Sequence, residues 1–301
     1  MGERVVVVVL NWRRCEETIR CVESLLQSDY QELRPVIVDN DSGDGSEERL
    51  RASFPQLPLV QTGANLGYAG GNNRGIEWAL AEEAEYVMVL NNDTRVDRHC
   101  VSRLVATLRA DTSIAQAGPK VVDAERGTLG AVGGEVRWAV AEPRQIGNSD
   151  VDHGQYSAVM DVDYVPGTAL LVRSTALREV GLLPEEYFLY FEDVVWSLRF
   201  RRHGWRTVAD PGAVVHHWES TSTGPDSPLK RYYMVRNNLY FIDEWVEPAR
   251  RAAVRRSVYR KFARWALRTA LAGRVPEVRA MYLGYHDYRA QIRGMAPRLP
   301  R

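Results

Sequence analysis

The chain has 301 residues, a formal net charge of zero and 45% hydrophobic residues, a balance that excludes a disordered chain and suits a globular α/β enzyme. The charge is uneven. Residues 245–301 hold 14 Lys/Arg against 3 Asp/Glu, which leaves 25 of 39 and 36 of 39 for residues 1–244, so an acidic body carries a basic tail. Cys15, Cys21 and Cys100 have no CxxC spacing, which argues against a zinc site or a disulfide frame and predicts reduced, cytoplasmic thiols. Met1 to Arg4 carries no signal-peptide pattern, and no apolar run approaches the roughly 20 residues that span a bilayer.

Val5 to Leu10 is six consecutive apolar residues, five of them valine, and predicts a strand buried on both faces. Glu16 to Gln27 predicts a helix with Ile19, Val22 and Leu26 on one side. Val36 to Val38 predicts a second strand that ends at Asp39-Asn40-Asp41-Ser42-Gly43, and Leu59 to Gln61 a third. Asn65 to Asn73 holds three glycines and three asparagines and reads as a loop before a helix over Arg74 to Glu83. Tyr86 to Leu90 predicts a fourth strand that empties into Asn91-Asn92-Asp93. Strands alternating with helices mean stacked βαβ units and a mostly parallel sheet.

After Gly118 the texture changes. Residues 127–160 are glycine-rich and predict loops and antiparallel strands. Asp163 to Val172 predicts a buried strand, and Leu182 to Gly204 is mostly helical. Val208 and Val214-Val215 predict short strands around Asp210-Pro211-Gly212, and the chain from Leu229 onward is helical. The expected organisation is one domain over 1–244, with halves at 1–118 and 119–244, followed by a basic helical extension over 245–301.

In open α/β sheets, ligands bind at the carboxyl ends of the strands. Polar side chains stand at three such ends: Asn11, Asp39-Asn40 and Asn91-Asn92-Asp93. Asp39 suits a base N–H or a ribose hydroxyl. The last triplet reads either as the holder of Mg²⁺ or Mn²⁺ or as a turn and helix cap. The Asn65–Asn73 run suits close approach to a phosphate or sugar at a helix N-terminus. It matches neither GxGxxG nor a P-loop, which argues against NAD binding and ATP hydrolysis.

Glu192-Asp193 follows an aromatic run and opens a helix, so one carboxylate caps it and the other is a candidate general base. His216-His217 ends a strand and reads either as a further cation ligand or as structural. Arg236 and Asn237 read as phosphate donors or as a solvated helix face. Val254, Val258, Phe262 and Trp265 form an apolar stripe, and Arg256, Arg260, Arg264 and Arg268 a basic ridge. That pattern suits either an anionic membrane surface or packing on the domain; no nucleic-acid motif accompanies it.

Taken in order, these motifs resemble the family 2 inverting glycosyltransferases, of GT-A fold, and within them the bacterial rhamnosyltransferase-like branch. The matching residues are Val9 to Trp12, Val38 to Ser42, Asn65 to Asn73, Leu90 to Asp93, Gly167 to Arg173, Phe188 to Asp193, His217 with Ser222 to Gly224, and Tyr232 to Asn237. The resemblance covers about residues 4–241. It implies a Rossmann-like sheet flanked by helices, a nucleotide-sugar donor and a divalent cation.

The donor would sit on Asn11, Asp39, Asn40, Ser42, Asn65, Gly67, Tyr68, Gly70, Gly71, Asn72, Asn91, Asn92 and Arg236. The cation falls to Asp93 and His217, and the general base to Asp193. Gly167, Thr168, Tyr190 and Glu192 take the sugar and acceptor side. Asn91 stands where the family's DXD motif begins, which makes Asp93 the main carboxylate ligand. The implied activity moves rhamnose from dTDP-rhamnose, or the sugar of a UDP-sugar, to a glycan or lipid-linked acceptor at the inner face of the cell membrane. The alternatives are a sugar-nucleotide pyrophosphorylase, which would want glycines after the first strand, and a non-catalytic nucleotide-sugar or membrane-surface binding module.

Overall fold

Five valines organise the centre of the molecule. In the computed structural model, which describes residues 3–218 and 227–297, Val5, Val7 and Val9 pack on one face of the central sheet and Val6 and Val8 on the other. All five are fully buried. Side chains alternate across a strand, so a run without polar residues needs cover on both faces. Helices α1 (Cys15–Leu26), α2 (Ser46–Ser53) and α4 (Cys100–Ala110) cover the first face. Helices α3 (Gly67–Ala81), α5 (Ser174–Val180) and α6 (Glu192–Arg202) cover the second.

Strands β1 (Val5–Asn11), β2 (Leu33–Asp39), β3 (Leu59–Gln61) and β4 (Tyr86–Asn91) are mutually parallel, with β1 between β4 and β2. Strand β11 (Ala169–Arg173) runs antiparallel between β4 and β6 (Ile114–Asp123), and β12 (Arg206–His217) lies parallel to β6. With β10 (Met160–Asp161) at the far edge, the order is β10-β12-β6-β11-β4-β1-β2-β3. Strands β5 (Thr94–Val96) and β7 (Thr128–Ala131) pair with β12 and β6 off this path. A separate hairpin joins β8 (Gly134–Arg137) to β9 (Glu142–Gln145).

Four local expectations change. Helix α3 starts at Gly67, seven residues before the predicted Arg74. It lies so close to β1 that a Cβ on Gly71 would sit 2.6 Å from Leu10, and one on Gly75 would sit 2.3 Å from Val8. These glycines let helix and strand touch, which outweighs their cost of roughly 1 kcal/mol each in a helix. The strand predicted from Asp163 begins only at Ala169, because residues 164–168 cross the sheet end as a loop. The two short strands around Pro211 are one strand, β12, with a register shift between Asp210 and Val214. Strand β6 runs through residue 118, so the two halves of the domain share one sheet.

Helices α7 (Pro228–Trp245), α8 (Pro248–Leu271) and α9 (Val275–Arg289) close the chain. The stripe of Val254, Val258, Phe262 and Trp265 packs in one apolar cluster with Leu239, Phe241 and Met281. Helix α9 crosses α7 at Gly284, where a Cβ would meet the Tyr232 carbonyl oxygen at 2.5 Å. The extension is therefore packed on the domain through one face of each helix.

Candidate active site

A cavity of about 450 Å³ opens at the carboxyl ends of β1, β2 and β4, a size suited to a small ligand. Leu10, Trp12, Arg14 and Asn40 wall one side. Asn65, Gly67 and Tyr68 wall a second, and Asn91, Asn92, Asp93 and His217 form the floor. The opposite wall holds Pro166, Gly167, Thr168, Phe188, Leu189, Tyr190, Glu192 and Asp193, with Leu229 and Lys230 from α7.

Two distant segments bring Asp93 and His217 together. Strand β5 pairs antiparallel with the end of β12, which sets His217 opposite Thr94. His217 Nε2 then lies 3.1 Å from Asp93 Oδ1, and the Trp218 amide donates to the Asp93 carbonyl at 2.9 Å. His216 turns elsewhere, with Nε2 3.2 Å from Asp97 Oδ1. Asn92 Nδ2 donates to Thr18 Oγ1 at 2.9 Å, and the Asn91 amide donates to the Thr168 carbonyl at 2.9 Å. Of the triplet, Asp93 is thus the carboxylate held beside an imidazole. Ser222 to Gly224 lie outside the described residues.

The carboxylate pair stands at the first turn of α6. The Gly167 amide donates to Asp193 Oδ2 at 2.8 Å, and the Val194 amide to Oδ1 at 2.8 Å. Burial pushes the Asp193 carboxyl above the usual carboxylate range, and these two amides oppose the shift. Glu192 is pushed well above its ordinary value, first by burial and then by the neighbouring charge of Asp193. Its Oε2 is buried with no hydrogen-bond partner among the described residues. Tyr68 donates its hydroxyl to the Gly167 carbonyl. Burial raises that phenol far above its normal range, and the charges of Glu192, Asp193 and Asp93 add to the shift.

The loop that delivers this pair is strained. Phe188, Tyr190 and Phe191 have φ of 64°, 66° and 78°, the left-handed region that side chains disfavour. Asn237 compensates: its Nδ2 lies 2.9, 2.9 and 2.8 Å from the carbonyls of Tyr187, Leu189 and Tyr190. Arg236 adds bonds from Nη2 to the Tyr187 carbonyl at 3.2 Å and from Nη1 to the Gly294 carbonyl at 2.6 Å. Phe188 stacks on Tyr233 with centroids 5.4 Å apart.

Several expected site residues stand elsewhere. Arg236 is fully buried and its donors are spent on carbonyls and on Asn237, so it pins the loop instead of facing the cavity. Gly70, Gly71 and Asn72 lie inside α3 and do not line the cavity; the Asn72 amide donates to the Tyr68 carbonyl at 2.9 Å. Asn11, Asp39 and Ser42 lie behind the wall. Asp39 accepts from Asn11 Nδ2 (2.7 Å), Ser42 Oγ (2.5 Å), the Ser42 amide (3.1 Å) and Gln61 Nε2 (3.0 Å). Four donors fill its lone-pair sites. Asn40 takes the wall position, held by its bonds to Asn65 and the Gly67 carbonyl.

Trp12, Arg14, Gln145, Leu229 and Lys230 line the cavity without having been expected there. Lys230 had a readable signal. Ser227-Pro228 is a helix-start pair, and Ser227 Oγ caps α7 by accepting from the Lys230 amide at 3.2 Å.

Comparison with known proteins agrees with this geometry. The family described as glycosyl transferase family 2 matches residues 5–165, and glycosyl transferase family group 2 matches residues 86–290. The chain is 27% identical over 246 residues to the low-salt glycan biosynthesis hexosyltransferase Agl10 of Haloferax volcanii, covering 77% of this chain and 73% of that protein. It is 28% identical over 250 residues to an N-acetylglucosaminyl-diphospho-decaprenol L-rhamnosyltransferase of Mycobacterium tuberculosis, covering 75% and 80%.

Two solved structures share the fold. The mannosyltransferase PcManGT from Pyrobaculum calidifontis, in complex with GDP-Man and Mn²⁺, superposes with a TM-score of 0.58 over 97% of this chain and 84% of that one, at 16% identity. GalNAc-T7 with UDP, GalNAc and Mn²⁺ gives 0.63 over 81% of this chain and 48% of that one, at 14% identity. The sheet and its flanking helices are the GT-A fold. The protein is a glycosyltransferase, which displaces the pyrophosphorylase and binding-module alternatives. The chain belongs to glycosyl transferase family 2.

Proposed function

We propose that this enzyme moves one sugar from a nucleoside-diphosphate donor to the hydroxyl of a lipid-linked glycan, with inversion at the anomeric carbon. The observation that carries the reading is Asp193, fixed by the Gly167 amide in the same cavity as the Asp93–His217 pair. Asp193 takes the proton from the acceptor hydroxyl while that oxygen bonds to the anomeric carbon. The bond from that carbon to the diphosphate breaks, and the diphosphate leaves with the electron pair. Burial makes Asp193 a stronger base than a solvated carboxylate.

Asp93 and His217 suit a divalent cation. A carboxylate oxygen and an imidazole nitrogen 3.1 Å apart are donors that Mn²⁺ or Mg²⁺ accepts, and two protein ligands leave room for diphosphate oxygens and water. Bound there, the cation would supply Lewis-acid charge to the leaving group. Lys230 brings a further positive charge to the same cavity. Asn40, Asn65 and Tyr68 shape the donor side. Gly167, Thr168, Tyr190 and Glu192 shape the sugar and acceptor side.

Relatives named as rhamnosyltransferases, in Mycobacterium tuberculosis and Shigella flexneri, support dTDP-rhamnose as the first donor to test. The decaprenol in the first of those names supports a polyprenyl-linked acceptor. A donor panel scored by released nucleoside diphosphate tests the donor; equal release from unrelated donors would refute it. Calorimetry with nucleoside diphosphate should show affinity enhanced by Mn²⁺ in the wild type and not in Asp93→Ala. An unchanged enhancement in the variant would remove Asp93 from the cation site.

A further inference from the structure

Packing of the apolar stripe leaves the other face of α8 without a described neighbour. That helix carries eight Lys/Arg and no Asp/Glu in its 24 residues. Arg255 and Lys261 pair with Asp243 and Glu142. Among the described residues, Arg256, Arg260, Arg264 and Arg268 have no ion-pair partner. At 3.6 residues per turn, Leu267 and Leu271 fall on this same face, interleaved with those arginines. They are 60% and 80% exposed. Beyond the turn at residues 272–274, α9 repeats the pattern: Val275 is 68% exposed, Arg279 is exposed and Tyr282 is 64% exposed, all on one side at i, i+4, i+7. Exposed leucines set among uncompensated arginines are the make-up of a surface that enters lipid headgroups while its charges meet anionic phosphates.

The position matters as much as the composition. The Arg231 guanidinium stacks 3.6 Å from the Trp265 ring centroid, and Arg231 follows Leu229 and Lys230, which line the catalytic cavity. Leu271 is six residues beyond Trp265, about 9 Å along the helix. Helix α8 is thus tied directly to the residue that follows the cavity-lining stretch of α7. Among the described residues no helix is long and apolar enough to cross a membrane.

We propose that the α8–α9 corner docks on an anionic bilayer and holds the acceptor side of the cavity at the headgroup layer, where a lipid-linked sugar presents its hydroxyl. This rests on the reading of a lipid-linked acceptor. The test is co-sedimentation of the full-length chain with vesicles of equal parts phosphatidylglycerol and phosphatidylcholine, against phosphatidylcholine alone. Binding should require phosphatidylglycerol.

The triple variant Arg260→Gln, Arg264→Gln, Arg268→Gln should lose about a hundredfold in partition. Leu267→Ser with Leu271→Ser should lose about tenfold. Both should keep the wild-type melting temperature and the wild-type rate of nucleoside diphosphate release measured without vesicles. Equal binding to both vesicle types, or binding unmoved by both variants, overturns the proposal. So does arginine-dependent binding of a single-stranded oligonucleotide by a chain that does not sediment with vesicles. Absence of vesicle binding with donor turnover intact overturns the surface alone. Vesicle binding without turnover of any donor overturns the transfer reading and leaves the surface.

Discussion

Asp39 and Glu192 are both buried carboxylates, and their surroundings are opposite. Asp39 accepts from four donors supplied by Asn11, Ser42 and Gln61, and it stands behind the cavity wall. Glu192 lines the cavity with one oxygen that has no partner among the described residues, and Asp193 beside it is held by one backbone amide at each oxygen. The backbone differs too. The segment before Glu192 has three left-handed non-glycine residues, held by a buried asparagine and arginine. Polar groups that satisfy one another build the scaffold, whereas those left short of partners in a cavity are available to a substrate.

The sharpest way to break this comparison is at Asp193. Asp193→Asn should lower turnover by about a thousandfold while donor affinity by calorimetry stays as it was. Turnover near the wild-type rate would mean another group is the base. The wild-type reaction should also rise with pH through the elevated Asp193 value, since only the ionised form accepts a proton, and the variant should lack that rise.

Next in size is Asn237→Ala. It strands the Leu189 and Tyr190 carbonyls of the strained loop, removes one of the donors to Tyr187, and should cost about 3 kcal/mol in urea unfolding. A loss below about 0.5 kcal/mol would show that the loop holds itself. Asp39→Ala should cost about 2 kcal/mol in the same measurement, because its four donors lose their acceptor; a neutral result would make the network dispensable.

The smallest effect runs the other way. Glu192 has a raised folded-state value, caused by burial and then by Asp193, so its stability contribution is full below its unfolded value near 4.5. That contribution is lost as pH rises through the raised folded value. Glu192→Gln should flatten this decline and raise stability at neutral pH by about 1 kcal/mol, read as a melting temperature across a pH series. A parallel pH dependence in the variant would assign the decline to other groups.

Much of this architecture is legible along the chain. Val5 to Val9, Tyr86 to Leu90 and the polar residues that end those strands are local signals, and in the folded chain β1 and β4 do end at one cavity. The glycine-asparagine run looks like a loop in sequence yet is largely helix, because closeness to β1, not intrinsic propensity, selects glycine there. The place of Arg236 is not legible in sequence, because an arginine on a helix carries no mark of what it will meet. Its partners are Tyr187 and Gly294, 49 and 58 residues away.

The sequence by itself determined the strands, the carboxyl edge at which a ligand binds, the Glu192-Asp193 pair and the uneven charge. These depend on composition and on neighbours within a few residues. Tertiary structure alone decided which of the polar residues face the cavity and which spend their hydrogen bonds inside. It also decided which face of α8 is covered and which still presents arginine and leucine to solvent. Saturation and burial are set by partners far along the chain, and only the folded packing brings those partners together.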